Sequence, residues 1–133
     1  MHVRLEDKAY WKSLINMGLT KFFILRTLES QPLYGYAILE RLAEFTRECC
    51  TPTYGAIYPI LKEFVRGGYA TVESQTVNGR KRKVYELTAK GRRAYRQALE
   101  TWHEVLPYVI GIVEEALPDE RSASRRSRAE VTR

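Results

Sequence analysis

The chain has 133 residues, 44% hydrophobic and 29% charged, which is room for one globular domain with a modest core. Lys and Arg number 22 against 16 Asp and Glu, a formal net charge of +6 that favours an anionic partner without naming it. With no run of about 18 apolar residues and no leader-like start, neither a membrane span nor a signal peptide is expected, and a cytoplasmic location follows.

A first helix is predicted over residues 5–17, where Trp11, Leu14 and Ile15 share a face. A second is predicted over 18–29, ended by Ser30-Gln31-Pro32 because proline cannot continue the hydrogen-bond ladder. A third spans 34–47, with Gly35, Ile38, Leu39, Leu42 and Phe45 on one side, and Gly35 open to close approach by another helix. A fourth spans 53–66, with Ile57, Ile60, Leu61 and Phe64 as its inner stripe, and Gly67-Gly68 stops it. The period then changes from helix to strand. Residues 69–77 and 83–87 read as strands, Asn78-Gly79 is a hairpin-turn signal, and Thr88 caps a final helix over 89–117. Residues 118–133, rich in Ser and Arg, read as a disordered basic tail. The fold class is mainly α with a two-stranded β-hairpin: a winged helix-turn-helix at 18–88, flanked by an N-terminal helix at 1–17 and a C-terminal helix at 89–117.

The fourth helix is the candidate recognition helix. Its outer face carries Tyr58, Lys62 and Arg66, and Thr53, Tyr54 and Gly55 lie at its N-terminal end. An inserted helix presents that end to base edges and its polar flank to phosphates. The alternative is an ordinary solvated amphipathic face. The basic run Arg80-Lys81-Arg82-Lys83, placed with Gly79 at the hairpin tip, equals the whole basic surplus of residues 1–117 (17 against 13). Four adjacent like charges repel unless an anion offsets them, so DNA phosphates or a minor groove are the expected partner.

Tyr95, Leu99, Trp102, Leu106, Val109 and Val113 recur at heptad spacing in the last helix. A winged-helix core cannot cover so long a stripe, so a second copy of the chain is expected to, with Trp11, Leu14 and Ile15 completing the contact. Pro107 should kink this helix or begin a new one. Lys90, Arg92, Arg93 and Arg96 at its start either face DNA or are solvated.

The adjacent Cys49 and Cys50 are expected to be reduced, since a bond between neighbours is strained, and to act as small buried hydrophobes. A thiol- or metal-responsive switch beside the recognition helix is the competing reading. No metal-ligand spacing, phosphate-binding loop or nucleophile motif occurs, and His103 has no acid–base partner in sequence. Neither an enzyme, a metal site nor a cofactor is expected.

Four segments resemble the PadR family of winged-helix regulators: Tyr34-Gly35-Tyr36-Ala37-Ile38, Gly55-Ala56-Ile57-Tyr58-Pro59-Ile60-Leu61, Gly79-Arg80-Lys81-Arg82-Lys83-Val84-Tyr85 and Leu87-Thr88-Ala89-Lys90-Gly91. The resemblance runs from about Gly18 to Val105. It implies a homodimeric regulator, most often a repressor, bound to a two-fold symmetric operator in double-stranded DNA. It also implies a role for Tyr58 in DNA binding and a dimer interface built from the first and last helices. In small members of the family a final-helix tryptophan stacks on flat ligands, which makes Trp102 a candidate for a small hydrophobic or aromatic effector; the alternative is plain interface packing. Ala56 departs from the Thr often found there, Pro107 is unexpected in a single final helix, and the region is too short for the larger C-terminal domain of longer members. A winged-helix module that binds a protein in place of DNA is the remaining alternative.

Overall fold

In the computed structural model, residues 4–117 are described. The described residues fall into two compact units, one ending at Arg96 and the other beginning at Gln97. The first holds the helices and sheet in the order α1 (Lys8–Ser30), β1 (Leu33–Tyr34), α2 (Gly35–Thr46), α3 (Tyr54–Arg66), β2 (Ala70–Val77), β3 (Arg80–Leu87) and the start of α4 (Ala89–Ala116).

The two helices expected before residue 30 are one. Gly18 costs a helix about 1 kcal/mol relative to Ala, which a 23-residue helix absorbs, and no proline interrupts it. Its C-terminal half is the buried part, through Thr20, Ile24, Leu25, Thr27 and Leu28. The Thr27 hydroxyl satisfies itself by donating to the Phe23 carbonyl at 2.7 Å. In the N-terminal half Trp11, Leu14 and Ile15 are exposed, and the Trp11 indole N–H donates to the Leu5 carbonyl at 2.7 Å.

After Pro32 the chain makes a short strand that sequence reading did not contain. Leu33 and Tyr34 pair antiparallel with Tyr85 and Val84, so the sheet has three strands in the order β1-β3-β2. Two residues are too few to show a period, which is why β1 left no mark in the pattern. α2 then buries Gly35, Ile38 and Leu42, whereas Phe45 stays partly exposed with its ring edge-on to Phe23. α2 stops one residue earlier than expected. Arg47 takes a left-handed conformation (φ 52°), and its N–H and that of Glu48 bond back to the carbonyls of Glu44 and Ala43.

The core of this unit is one cluster in which Ile24, Leu28, Ile38, Leu42, Ile57 and Leu61 are fully buried. Phe64, Ala70, Tyr85 and Leu87 complete it, so three helices and the sheet share one interior. Each such aliphatic side chain contributes about 1.5–3 kcal/mol of transfer free energy. Thr88 ties the exit of the sheet to α4: its hydroxyl donates to the Gly68 carbonyl at 2.6 Å and accepts from the Gly91 N–H at 3.1 Å.

Two expectations about flanking residues are corrected. Cys49 and Cys50 are joined through their sulfurs, and Cys49 is exposed with Cys50 half-buried, so the pair is neither reduced nor a buried hydrophobe. As chain neighbours they hold their Cα atoms 3.8 Å apart, which keeps the two thiols close together. Of the two outcomes expected at Pro107, a kink or a new helix, the second does not occur: α4 runs unbroken through it. A proline inside a helix removes one N–H bond, here to the His103 carbonyl, and 28 residues provide enough others. From Gln97 onward, in the second unit, Leu99, Leu106, Val109 and Val113 are exposed and Trp102 is half-buried. The tail expected at 118–133 lies outside the described residues.

Candidate nucleic-acid interface

α3 is aimed by its ends. Thr53 caps it, its hydroxyl oxygen accepting from the Ala56 N–H at 3.2 Å, which leaves the hydroxyl proton to donate outward. Pro59 lies inside the helix and α3 continues through it to Arg66. Ile57, Leu61 and Phe64 anchor the inner face, so the outer face turns Gly55, Lys62 and Arg66 to solvent and leaves Tyr58 half-exposed. Lys21 of α1 pairs with Glu63 at 3.0 Å, an exposed contact of little energetic weight.

Tyr54 and Tyr58 form part of a stack. Tyr54 lies on Tyr36 of α2 with ring centroids 4.7 Å apart and planes 9° apart. Tyr58 follows Tyr54 at 6.0 Å and 29°, and the Lys62 ammonium sits 5.8 Å from the Tyr58 ring centroid. The stack requires Gly35, because a Cβ there would overlap the Tyr54 ring. Tyr36 was missed as a site residue by sequence reading: it lies on a different helix, and only its place beside Gly35 in the Tyr34–Ile38 segment hinted at a role.

The hairpin differs from expectation in its boundaries. Asn78 (φ 51°) and Gly79 (φ 80°) alone make the turn, the left-handed pair that suits the twist of two strands. Arg80, Lys81, Arg82 and Lys83 are the first residues of β3, not a loop tip. Opposite them on β2 stand Val77, Thr76, Gln75 and Ser74, so no like charge faces another across the ladder. Strand alternation sends the four charges to two faces. Arg82 lies over the Tyr34 ring, 4.9 Å from its centroid. Lys83 faces α3, where with Tyr58, Lys62, Arg66, Val72 and Tyr85 it lines a groove of about 230 Å³ between recognition helix and hairpin.

Lys62, Arg66 and Lys83 have no carboxylate at ion-pair distance among the described residues. Three uncompensated cations around an aromatic floor favour an anion. The Tyr85 hydroxyl is pushed above its ordinary pKa of 10.0, first by burial and then by the neighbouring Tyr54 and Tyr58 phenols, so it stays neutral beneath that charge. The basic start of α4 is partly occupied: Lys90 donates to the Gly67 carbonyl at 2.7 Å and lies over the Tyr69 ring, and Arg92 donates to the Glu29 carbonyl at 2.9 Å.

The seam residues fall into two groups. Tyr95 is half-buried in the first unit with its ring stacked on Phe22 at 6.1 Å, whereas Leu99, Leu106, Val109 and Val113 are exposed along the second. Among the described residues no helix is long and apolar enough to cross a membrane, and no group of three or more His, Cys, Asp or Glu is placed to hold a metal ion.

No curated protein matches the chain. Solved structures do. A transcriptional regulator from Clostridium thermocellum is 25% identical with a TM-score of 0.66, covering 74% of this chain and 93% of that one. A Streptococcus mutans UA159 protein is 29% identical with a TM-score of 0.62, over 72% of this chain and 87% of that one. Bacillus subtilis PadR, solved in complex with operator DNA, is 27% identical with a TM-score of 0.56, over 61% of this chain and 46% of that one. The model of the PadR-like transcriptional regulator family matches residues 24–97, which contain α2, α3 and the hairpin entire. The chain therefore belongs to the PadR-like family of transcriptional regulators, and is not an enzyme.

Proposed function

We propose that this regulator binds a two-fold symmetric DNA operator as a homodimer, represses the genes behind it, and is released by a small hydrophobic or aromatic effector. The observation that carries the DNA reading is the groove between α3 and β3, where Lys62, Arg66 and Lys83 converge without a counter-charge among the described residues. The operator complex of Bacillus subtilis PadR supports it. α3 enters a major groove with Thr53, Tyr54, Gly55 and Tyr58 toward the bases. Lys62, Arg66, Arg80, Lys81 and Lys83, with the Gly79 turn, meet the backbone, while Arg82 stays over the Tyr34 ring.

The second copy joins through the exposed apolar residues of α1 (Trp11, Leu14, Ile15) and of α4 (Leu99, Leu106, Val109, Val113). Pairing sets the two α3 helices about one helical turn of DNA apart, roughly 34 Å. Trp102, half-buried on the same helix, is the residue on which an effector stacks, and a ligand held between protomers shifts that spacing and with it the affinity. The test is selection of bound duplexes from random sequence with the full-length protein. An inverted repeat with half-sites about 10 base pairs apart is expected. Recovery of no shared sequence contradicts the proposal.

A further inference from the structure

We propose that Tyr36, which lies on α2 and outside the recognition helix, donates its phenolic O–H to a phosphate of the DNA backbone. The proposal rests on the DNA-binding function above and adds a contact that neither the charge pattern nor the α3 periodicity contains.

Tyr36 is 54% exposed, yet its ring is not loose. One face is held flat against Tyr54, which stands at the first position of α3, and Tyr54 in turn leans on Tyr58. Gly35, buried beneath, leaves the space that the Tyr54 ring occupies. The result is a row of three phenols in which only the last member, on the neighbouring helix, offers a largely open edge. Its hydroxyl makes no hydrogen bond among the described residues, so the donor is available.

In a helix-turn-helix the first helix crosses the sugar-phosphate backbone while the second enters the groove. α2 and α3 hold those places in the chain, and Tyr36 sits beside the end of α3 that faces the bases. A tyrosine hydroxyl is a competent phosphate donor. A ring already fixed by stacking has little rotamer freedom left to lose on binding, which makes the contact more favourable than one from a mobile side chain. Because the donor is neutral, it displaces no counterion and adds affinity without salt dependence.

The experiment compares full-length wild type with Tyr36→Phe, which keeps the stack and removes only the hydroxyl. Binding is followed by fluorescence anisotropy on a selected duplex and on an unrelated one. The expected result is a loss of about 10- to 100-fold on both duplexes, one hydrogen bond of about 3- to 10-fold from each of the two protomers, with an unchanged salt slope and an unchanged Tm. A scan of single methylphosphonates across the selected duplex provides an independent measurement. One position in each half-site should weaken wild type with a penalty that vanishes in Tyr36→Phe. Tight wild-type binding that Tyr36→Phe leaves unaltered, with no such position in the scan, overturns this proposal alone. A wild-type chain with no affinity for duplex DNA overturns it together with the proposed function.

Discussion

At the scale of single residues, the phenols beneath the interface are linked by more than packing. Tyr85 is buried where β1 meets β3, and ionising it would place a charge in the core beside Tyr54 and Tyr58. Its hydroxyl therefore titrates above 10.0 in the folded protein and near 10 in the unfolded chain. The contribution to stability is whole below pH 10 and is lost as the pH climbs from there through the folded-state value. Thermal unfolding followed from pH 9 to pH 11.5 should show Tm falling above about pH 10, less steeply in Tyr85→Phe, which has no proton to lose. Equal slopes in the two proteins would show that the hydroxyl is not held neutral by its surroundings.

At the scale of elements, the hairpin places like residues in unlike surroundings. Arg82 lies over Tyr34 and ties β3 to the entry of α2, whereas Lys83 faces the groove beside α3. Arg82→Ala is expected to lower stability by about 0.5–1 kcal/mol, the usual worth of a cation–π contact, with little change in the salt slope of DNA binding. Lys83→Gln is expected to do the reverse, leaving Tm nearly unchanged and flattening the salt slope. The same change from both variants would mean that the two faces are equivalent. The sequence contained the four basic residues and their turn, but not this division. Once Asn78-Gly79 is seen to close the turn unaided, strand alternation follows, and reading the charges as a tip hid it. The long elements were legible for a plain reason: Ile57, Leu61 and Phe64, or Ile38 and Leu42, repeat often enough to show which side is inward. Gly18 misled because it is a local penalty, and a helix of 23 residues carries enough other bonds to override it; for the same reason Pro107 does not divide the 28-residue α4. β1 and the Tyr36 stack were not legible. Both arise from residues brought together across elements, and no period records that.

At the scale of the whole molecule, several large apolar side chains among the described residues are exposed. Val109 is 50% and Val113 51% exposed, four residues apart on one helix face, and Ile15 of α1 is 55% exposed. Side chains of this kind are more stable removed from water, and a second copy is the proposed cover. Replacing Val109 and Val113 together by Glu puts charges where the seam would close, so sedimentation equilibrium should report a monomer with its secondary structure intact. Operator affinity should then fall by about 100-fold or more, because the second half-site no longer binds intramolecularly. A stable dimer from this double variant would place the interface elsewhere. What matters most is whether α3 and β3 together form a surface for a polyanion. The direct measurement is operator affinity against salt, from about 50 to about 200 mM, for wild type and for Lys62→Gln. The expected result is a steep linear fall of log affinity with log salt in wild type. In the variant the slope should be shallower by about 1.8, one lost phosphate contact at each half-site at about 0.9 apiece. A flat wild-type line, or the same slope in both proteins, would contradict it.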